Sequence, residues 1–330
     1  MILGPEVANF ERELASALGV AEVIGVSSGT DALLALLMAS GVGPGDSVIT
    51  TPYSFIAAAE AIVRVGARPS FADIVPDTMN LDATAAAALV GPHTKAALVV
   101  HLFGRPAAVD PLRSACATVG VPLLDDAAQA IGAIGGATGR AAAISFFPSK
   151  NLGGFGDGGA VATNDRELAA IVRMLRNHGA EEKLHHTRVG GNFRLDELQA
   201  ALLRVKLPHL PIWTAERRRI AERYLDLLRG LPIVLPPPDE NCVWNQFVIR
   251  VAADRRPSLR RHLDDRGIAS GVYYPVPLHL QRVFAFLEHQ PGDFPNAERA
   301  AAESLALPIF PGLTDDDLAR VAGTLADFFR

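Results

Sequence analysis

Cysteine is scarce. The chain of 330 residues has two, Cys116 and Cys242, at a spacing that matches no metal-binding pattern. Two cysteines in a chain of this length do not make a disulfide scaffold, and they point to a reducing, cytoplasmic compartment. Long apolar runs are also missing, and no stretch has the uninterrupted length of a membrane span. The start, Met1-Ile2-Leu3-Gly4-Pro5-Glu6, has neither the basic head nor the apolar core of a signal peptide. Positive charge is not concentrated: the net charge is −5 and there is no long basic run, which argues against nucleic acid or an anionic membrane as the main partner. His185 and His186 are adjacent and share no helix face, so no metal site is expected there. No internal repeat is present.

What the chain has in quantity is apolar residues, 49% against 20% charged, enough for a large core in one big domain and a smaller one. Strand-like and helix-like segments alternate from the start. Expected strands are 22–26, 47–51, 68–72, 96–101, 122–126 and 141–147. Expected helices are 6–18, 29–40, 55–65, 83–90 and 109–119. Units of this kind argue for an α/β fold with a mostly parallel sheet covered by helices. In such sheets ligands sit at the carboxyl ends of the strands. Ser28, Phe55, Asp126 and Lys150 all fall at or just past such ends. Downstream, helices are expected over 165–177, 196–206 and 210–228. The run Arg217-Arg218-Arg219 on the last of these reads as a solvated face. Leu231-Pro232 and Pro236-Pro237-Pro238 mark a linker. The expected division is therefore a large domain over 1–230 and a smaller α+β domain over 231–330, with strands at 243–251 and 268–272 and helices at 257–266 and 314–328.

The richest stretch runs from Ser145 to Gly159. An apolar strand stops at Pro148, Lys150 follows, and five glycines lie between Gly153 and Gly159. A lysine at the mouth of a sheet can act as a nucleophile if burial or a nearby cation lowers its pKa. Gly154-Phe155-Gly156-Asp157-Gly158-Gly159 also fits the G-x-G-x-x-G pattern of dinucleotide binders. Its context is wrong, because a strand rather than a helix is expected to follow. A nicotinamide dehydrogenase is thus a rival reading. Ser27-Ser28-Gly29-Thr30-Asp31, between a strand and a helix, points free N–H groups at an anion, or simply caps the helix.

Several stretches together resemble the DegT/DnrJ/EryC1/StrS aminotransferases. They are Gly-Val-Ser-Ser-Gly-Thr-Asp-Ala-Leu (25–33), Asp-Asp-Ala-Ala-Gln-Ala (125–130), Ser-Phe-Phe-Pro-Ser-Lys-Asn-Leu-Gly (145–153) and Gly-Asp-Gly-Gly-Ala (156–160). Further on come Met-Leu-Arg-Asn-His-Gly (174–179), Asn-Phe-Arg-Leu-Asp-Glu-Leu-Gln-Ala-Ala (192–201), Tyr-Pro-Val-Pro-Leu-His (274–279) and Phe-Pro-Asn-Ala-Glu-Arg (294–299). The resemblance covers nearly the whole chain. It implies a fold-type I, aspartate aminotransferase-like enzyme that uses pyridoxal 5'-phosphate. Lys150 then resembles the residue that carries the cofactor covalently and moves the proton. Asp126, rather than Asp125, falls where a carboxylate keeps the pyridine nitrogen protonated. Gly29, Thr30 and Ser145 resemble the phosphate turn, Phe55 the ring that stacks on the cofactor, and Gln129 the partner of its phenolic oxygen. Asn192 resembles the residue that reaches the neighbouring subunit's phosphate, which implies a homodimer with shared active sites. Phe155, Tyr274 and His279 are candidate substrate contacts. No metal is implied.

The implied reaction passes an amino group from L-glutamate to a keto group of a nucleotide-linked deoxysugar. The runs 244–248 and 271–279 look most like members acting at C3 of a dTDP-3-keto-6-deoxyhexose. A C4-acting member and a UDP-3-keto-uronate aminotransferase stay open. So does a non-catalytic, cofactor-binding regulatory protein, although Lys150 argues against it and against the family's dehydratases, which carry histidine there. Two departures stand out. Relatives usually have a further segment ahead of Gly4-Pro5-Glu6-Val7, which helps form the mouth of the site, so substrate affinity is the expected point of difference. Arg105 stands where relatives commonly carry glutamine.

Overall fold

The computed structural model describes residues 2–182 and 184–330. Seven strands form the main sheet: β1 (Glu22–Val26), β2 (Ser47–Thr50), β3 (Arg68–Phe71), β4 (Thr94–Val100), β5 (Leu123–Asp126), β6 (Ala141–Ser145) and β7 (Gly159–Thr163). Their order is β1-β7-β6-β5-β4-β2-β3. β7 is antiparallel to both of its neighbours, and every other pairing is parallel. β5, β6 and β7 are buried along their whole length, as strands covered on both faces must be.

The covering helices are α1 (Pro5–Leu18), α2 (Gly29–Ala39), α3 (Ala57–Arg64), α4 (Ala83–Ala87), α5 (Asp110–Thr118), α6 (Arg166–Leu175) and α7 (Glu197–Lys206). Alternation along the strands divides the core. Ala141 and Ala143 of β6 face the layer of α2, α3 and α6, while Ala142 and Ile144 face the layer of α1 and α7. α1 illustrates the local logic. Pro5 opens it, Val7, Phe10 and Leu14 share its buried side, and Gly19, at φ 69°, ends it in the left-handed conformation.

A second core gathers around a two-stranded antiparallel sheet. Before it come the short hairpin β8 (Ala180–Glu182) and β9 (His185–His186) and the long helix α8 (Leu210–Leu227). The sheet pairs β10 (Phe247–Arg250) with β11 (Ser304–Leu307), beside α9 (Arg256–Asp264) and α11 (Asp315–Phe329), while α10 (Pro295–Glu303) turns Ala297, Ala300 and Ala301 to the core of the main sheet. α8 contributes Ile220, Ala221 and Tyr224 to this core, so the proline-rich linker at 231–238 lies within its packing rather than at its edge.

Two expectations change here, and one strand is new. Residues 268–272 form no strand, only a single bridge from Gly271 to Ala306. The β10 partner is β11, which follows the alanine-rich α10 that composition alone did not separate from a loop. Arg217 is not on a solvated face: it is buried, because α8 packs on the second core through that side. No helix among the described residues is long and apolar enough to cross a membrane.

Candidate active site

The site begins where β6 runs out. Phe146 anchors the strand end, buried and edge-to-face with Phe10 at 5.3 Å between centroids. The chain then doubles back sharply: Lys150 N donates to Phe147 O and Gly154 N to Phe146 O. Gly153 is required here, since a Cβ on it would stand 2.3 Å from Pro148 O. Asn151 fixes the far side, giving Nδ2 to Val243 O (2.8 Å) and accepting from Asn245 Nδ2 (2.9 Å). Lys150 is thereby held between two rigid anchors. Burial lowers its ammonium pKa, and the Asp126 carboxylate partly opposes that shift. The neutral, nucleophilic amine is therefore available at lower pH than on an ordinary lysine. The glycine run enters β7 directly, which removes the dinucleotide reading of its pattern.

Adjacent acids on β5 point to opposite faces and do different things. Asp126 is buried, and burial raises its pKa against the pull of the Ala128 N–H, Lys150 and His101. Its Oδ1 accepts from Ala128 N (3.0 Å), and no second protein donor reaches the carboxylate among the described residues. Asp125 is committed to structure. It accepts from Thr138 N (2.7 Å), Thr138 Oγ1, Gly139 N (2.9 Å) and His101 Nε2 (3.1 Å). His101 Nδ1 accepts from Ala107 N (3.0 Å), so Nε2 carries the proton given to Asp125. Burial alone would raise the Asp125 pKa, but these donors outweigh it and hold it below 3.8.

Asp125→Asn should therefore cost stability rather than chemistry. An amide presents two N–H groups where the carboxylate met four donors, a loss of about 3 kcal/mol. Because the folded pKa is depressed, this contribution is present above 3.8 and is lost as pH falls through the lower folded value. Chemical denaturation of the two proteins at pH 7 checks this. Equal midpoints would contradict it.

The β1–α2 turn supplies a different chemistry. Ser28 Oγ caps α2 by accepting from Asp31 N (3.0 Å), and among the described residues Gly29 N and Thr30 N have no protein acceptor. A Cβ on Gly29 would stand 2.7 Å from the Ser145 Cβ, so this backbone lies directly against Ser145 at the end of β6. Free N–H groups at a helix start, beside a serine hydroxyl, suit an anionic phosphate.

Gln129 joins the third wall. Its Oε1 accepts from Phe103 N (2.6 Å) and its Nε2 donates to the Tyr274 hydroxyl (3.0 Å). One amide hydrogen of Gln129 has no protein acceptor among the described residues. Tyr274 also stands 6.3 Å, centroid to centroid, from the exposed ring of Phe55. Arg105, a departure without an explanation in the sequence, acts as a strap. It pairs with Asp239 (2.8 Å), donates to Pro237 O and lies over Trp244 at 5.4 Å. It ties the β4–α5 connection, and through Phe103 N the Gln129 amide, to the linker and the start of the second core.

Lys150, Asp126, Gly29, Thr30, Ser145, Gln129, Tyr274 and Phe55 thus collect at one end of the sheet. Three candidates do not join them. His279 is only 2% exposed, with Nε2 on Glu298 (3.1 Å) and its ring against Phe294 at 4.8 Å. This burial opposes its expected role as a substrate contact: the ring packs against Phe294 and Nε2 is taken up by Glu298. Phe155 is 77% exposed and held outward by its N–H on Gln199 Oε1 (3.0 Å). Asn192 is exposed on a bridge to Asn177. Sequence reasoning gave no role to Asn151 and Asn245, although both lie in the runs 145–153 and 244–248 that carry the resemblance. Among the described residues no cluster of potential metal ligands occurs.

The chain matches the DegT/DnrJ/EryC1/StrS aminotransferase family over residues 1–326. It is 45% identical to a protein of Geobacillus stearothermophilus named pleiotropic regulatory protein, with 100% of this chain and 91% of that one covered. It is 44% identical to the dTDP-3-amino-3,4,6-trideoxy-alpha-D-glucose transaminase of Streptomyces venezuelae, covering 99% and 88%. The crystal structure of S. venezuelae DesV superposes with a TM-score of 0.96 at 43% identity, covering 100% and 90%. A whole-chain family match, a fold of this likeness and a lysine–aspartate pair at the strand mouth agree: the chain belongs to the DegT/DnrJ/EryC1/StrS aminotransferase family, and it is a pyridoxal-phosphate-dependent aminotransferase of fold type I.

Proposed function

We propose that the protein transfers an amino group from L-glutamate to a keto carbon of a nucleotide-linked deoxysugar, C3 of a dTDP-3-keto-6-deoxyhexose. The observation that carries the transamination is the pairing of a low-pKa Lys150 with a buried Asp126 that has a single protein donor. The sugar class rests on the transaminase relative at 44% identity.

The residues present fit the cofactor: unpaired N–H groups for the phosphate, a buried carboxylate for a protonated ring nitrogen and an amine for the aldehyde. Lys150 would hold it, with Asp126 at the ring nitrogen, Gly29, Thr30 and Ser145 at the phosphate, Gln129 at the phenolic oxygen and Phe55 over the ring. When bound, pyridoxal phosphate supplies an electron sink that lets an amine leave one carbon and join another. The work of the chain is to hold a neutral Lys150 Nζ where it can lift a proton from the donor's α-carbon and return one to the sugar carbon that receives the amine. The Gln129–Tyr274 pair places a phenol at the mouth, and Tyr274 is the better-placed sugar contact. The test is a screen of keto-sugar nucleotides for glutamate-dependent amination. Turnover with C4-keto or UDP-3-keto-uronate substrates in place of the dTDP-3-keto sugar would move the substrate assignment. A regulatory reading has one observation in its favour, the name of the Geobacillus relative. Absence of amination across the screen would favour it.

The same reading makes the enzyme a homodimer. α7 exposes Leu198, Leu202 and Val205 at helical spacing, next to exposed Phe155. A second copy of this chain would cover that face and bring Asn192 to the other site's phosphate. Asn192→Asp, with a carboxylate beside a phosphate, should lose cofactor, and Lys150→Ala should be inactive. Refolded together in equal amounts, the two variants should recover about a quarter of wild-type activity. Half the dimers are then mixed, and each has one intact site. No recovery, with mixed dimers confirmed by mass, would refute the shared site.

A further inference from the structure

Arg217 is the buried cation left over. It lies on α8, is 7% exposed, and has no acidic partner among the described residues, whereas its neighbour Arg219 pairs with Glu216 and Asp315. Its Nη1 donates to Trp244 O (3.0 Å), Asn245 O (3.4 Å) and Ile309 O (3.0 Å). Nε has no acceptor, and no hydrogen bond from Nη2 is made within the described residues. Nη1 is therefore fixed, and the Nε–Nη2 edge is unpaired among the described residues. Burial draws its pKa down to about 10, which is the cost of a cation held without a counter-ion.

Arg217 lines an open cleft of about 560 Å³ that also takes in Lys150, Asn245, Gln246, Ser270 and Tyr273. Arg217 and Lys150 are the charged residues on that lining. Gln246 Oε1 is a second buried polar atom there without a partner among the described residues. We propose that Arg217 is a carboxylate-binding residue of the transamination cleft and receives the anionic end of the amino donor, an assignment that rests on the proposed function above. A planar carboxylate matches a guanidinium edge in a bidentate way. A diphosphate carries more charge than one free cation balances, and Lys150 is committed to the reacting carbon.

The probe is glutarate, a dicarboxylate with no amine, titrated calorimetrically into the intact protein, with inorganic pyrophosphate as the second arm. Arg217→Gln should weaken glutarate by at least about tenfold, as expected for loss of a charge-assisted pair. Arg217→Lys should weaken it less, because it keeps the charge and loses the fork. If Arg217→Gln fails to fold, the lysine variant alone decides. In turnover, KM for the donor should rise while KM for the keto sugar stays put. Glutarate that fails to bind the wild type, or binds all three proteins alike, overturns the proposal. So does a result in which Arg217→Gln loses pyrophosphate and keeps glutarate. Glutarate binding is read without turnover, so failed sugar amination with this pattern intact counts against the proposed function alone.

Discussion

Replacing Lys150 with alanine should lower turnover by at least about 10²–10⁴-fold, the range contributed by a positioned proton-transfer group. Loss of the covalent hold on the cofactor adds to that. The variant should still fold, because Lys150 makes no hydrogen bond through its side chain among the described residues and its loop is held by Gly153, Asn151 and the Phe146–Phe10 contact. It should bind the cofactor in a form that dialysis removes, and a small external amine should restore part of the rate. Removing a partly buried ammonium whose pKa is lowered by burial should not reduce the melting temperature. Steady-state rates with circular dichroism check the two halves together. Turnover within tenfold of wild type in a folded variant would remove Lys150 from the chemistry.

Asp126→Asn is the second large effect. The amide keeps the shape, and its oxygen can still accept from Ala128 N. What goes is the negative charge facing Lys150 and, in the loaded enzyme, the ring nitrogen. A pre-organised charge of this kind is worth on the order of 10²–10³ in rate. Both half reactions should slow together, since both draw on the same electron sink. The folded protein should be no less stable, because burial already disfavours the carboxylate. Asp125→Asn should show the reverse, a loss of stability with little change in rate per folded molecule. If Asp125→Asn proves the slow one, the strand register assigned to the two acids is wrong by one residue.

The contrast between these two aspartates shows what can be read from sequence. Alternating strands and helices, and the placing of Ser28, Phe55, Asp126 and Lys150 at or past strand ends, follow from local periodicity and are legible in the sequence. The division of labour between Asp125 and Asp126 needed the family motif, because which face of a buried strand meets the ligand is a tertiary fact. Arg217 was misread for the same reason. Three arginines in a row look solvated, yet helical geometry turns only one of them inward, and the partner that decides which, the second core, is distant in sequence. β11 pairs with β10 across more than fifty intervening residues and had no local signature beyond Ser-Leu-Ala-Leu. Arg105 became intelligible only once the linker folded back over it. His279 sits in a family motif, but the aromatic cluster around it, set by residues far along the chain, takes it out of the cleft.

The central claim is that the amine at the mouth of β6 carries the cofactor. The chain has four lysines, Lys95, Lys150, Lys183 and Lys206. The protein loaded with pyridoxal phosphate, reduced with borohydride, digested and mapped by mass spectrometry, tests that claim directly. The predicted result is the cofactor's added mass on Lys150 alone. The same mass on any other lysine, or on none, would contradict it.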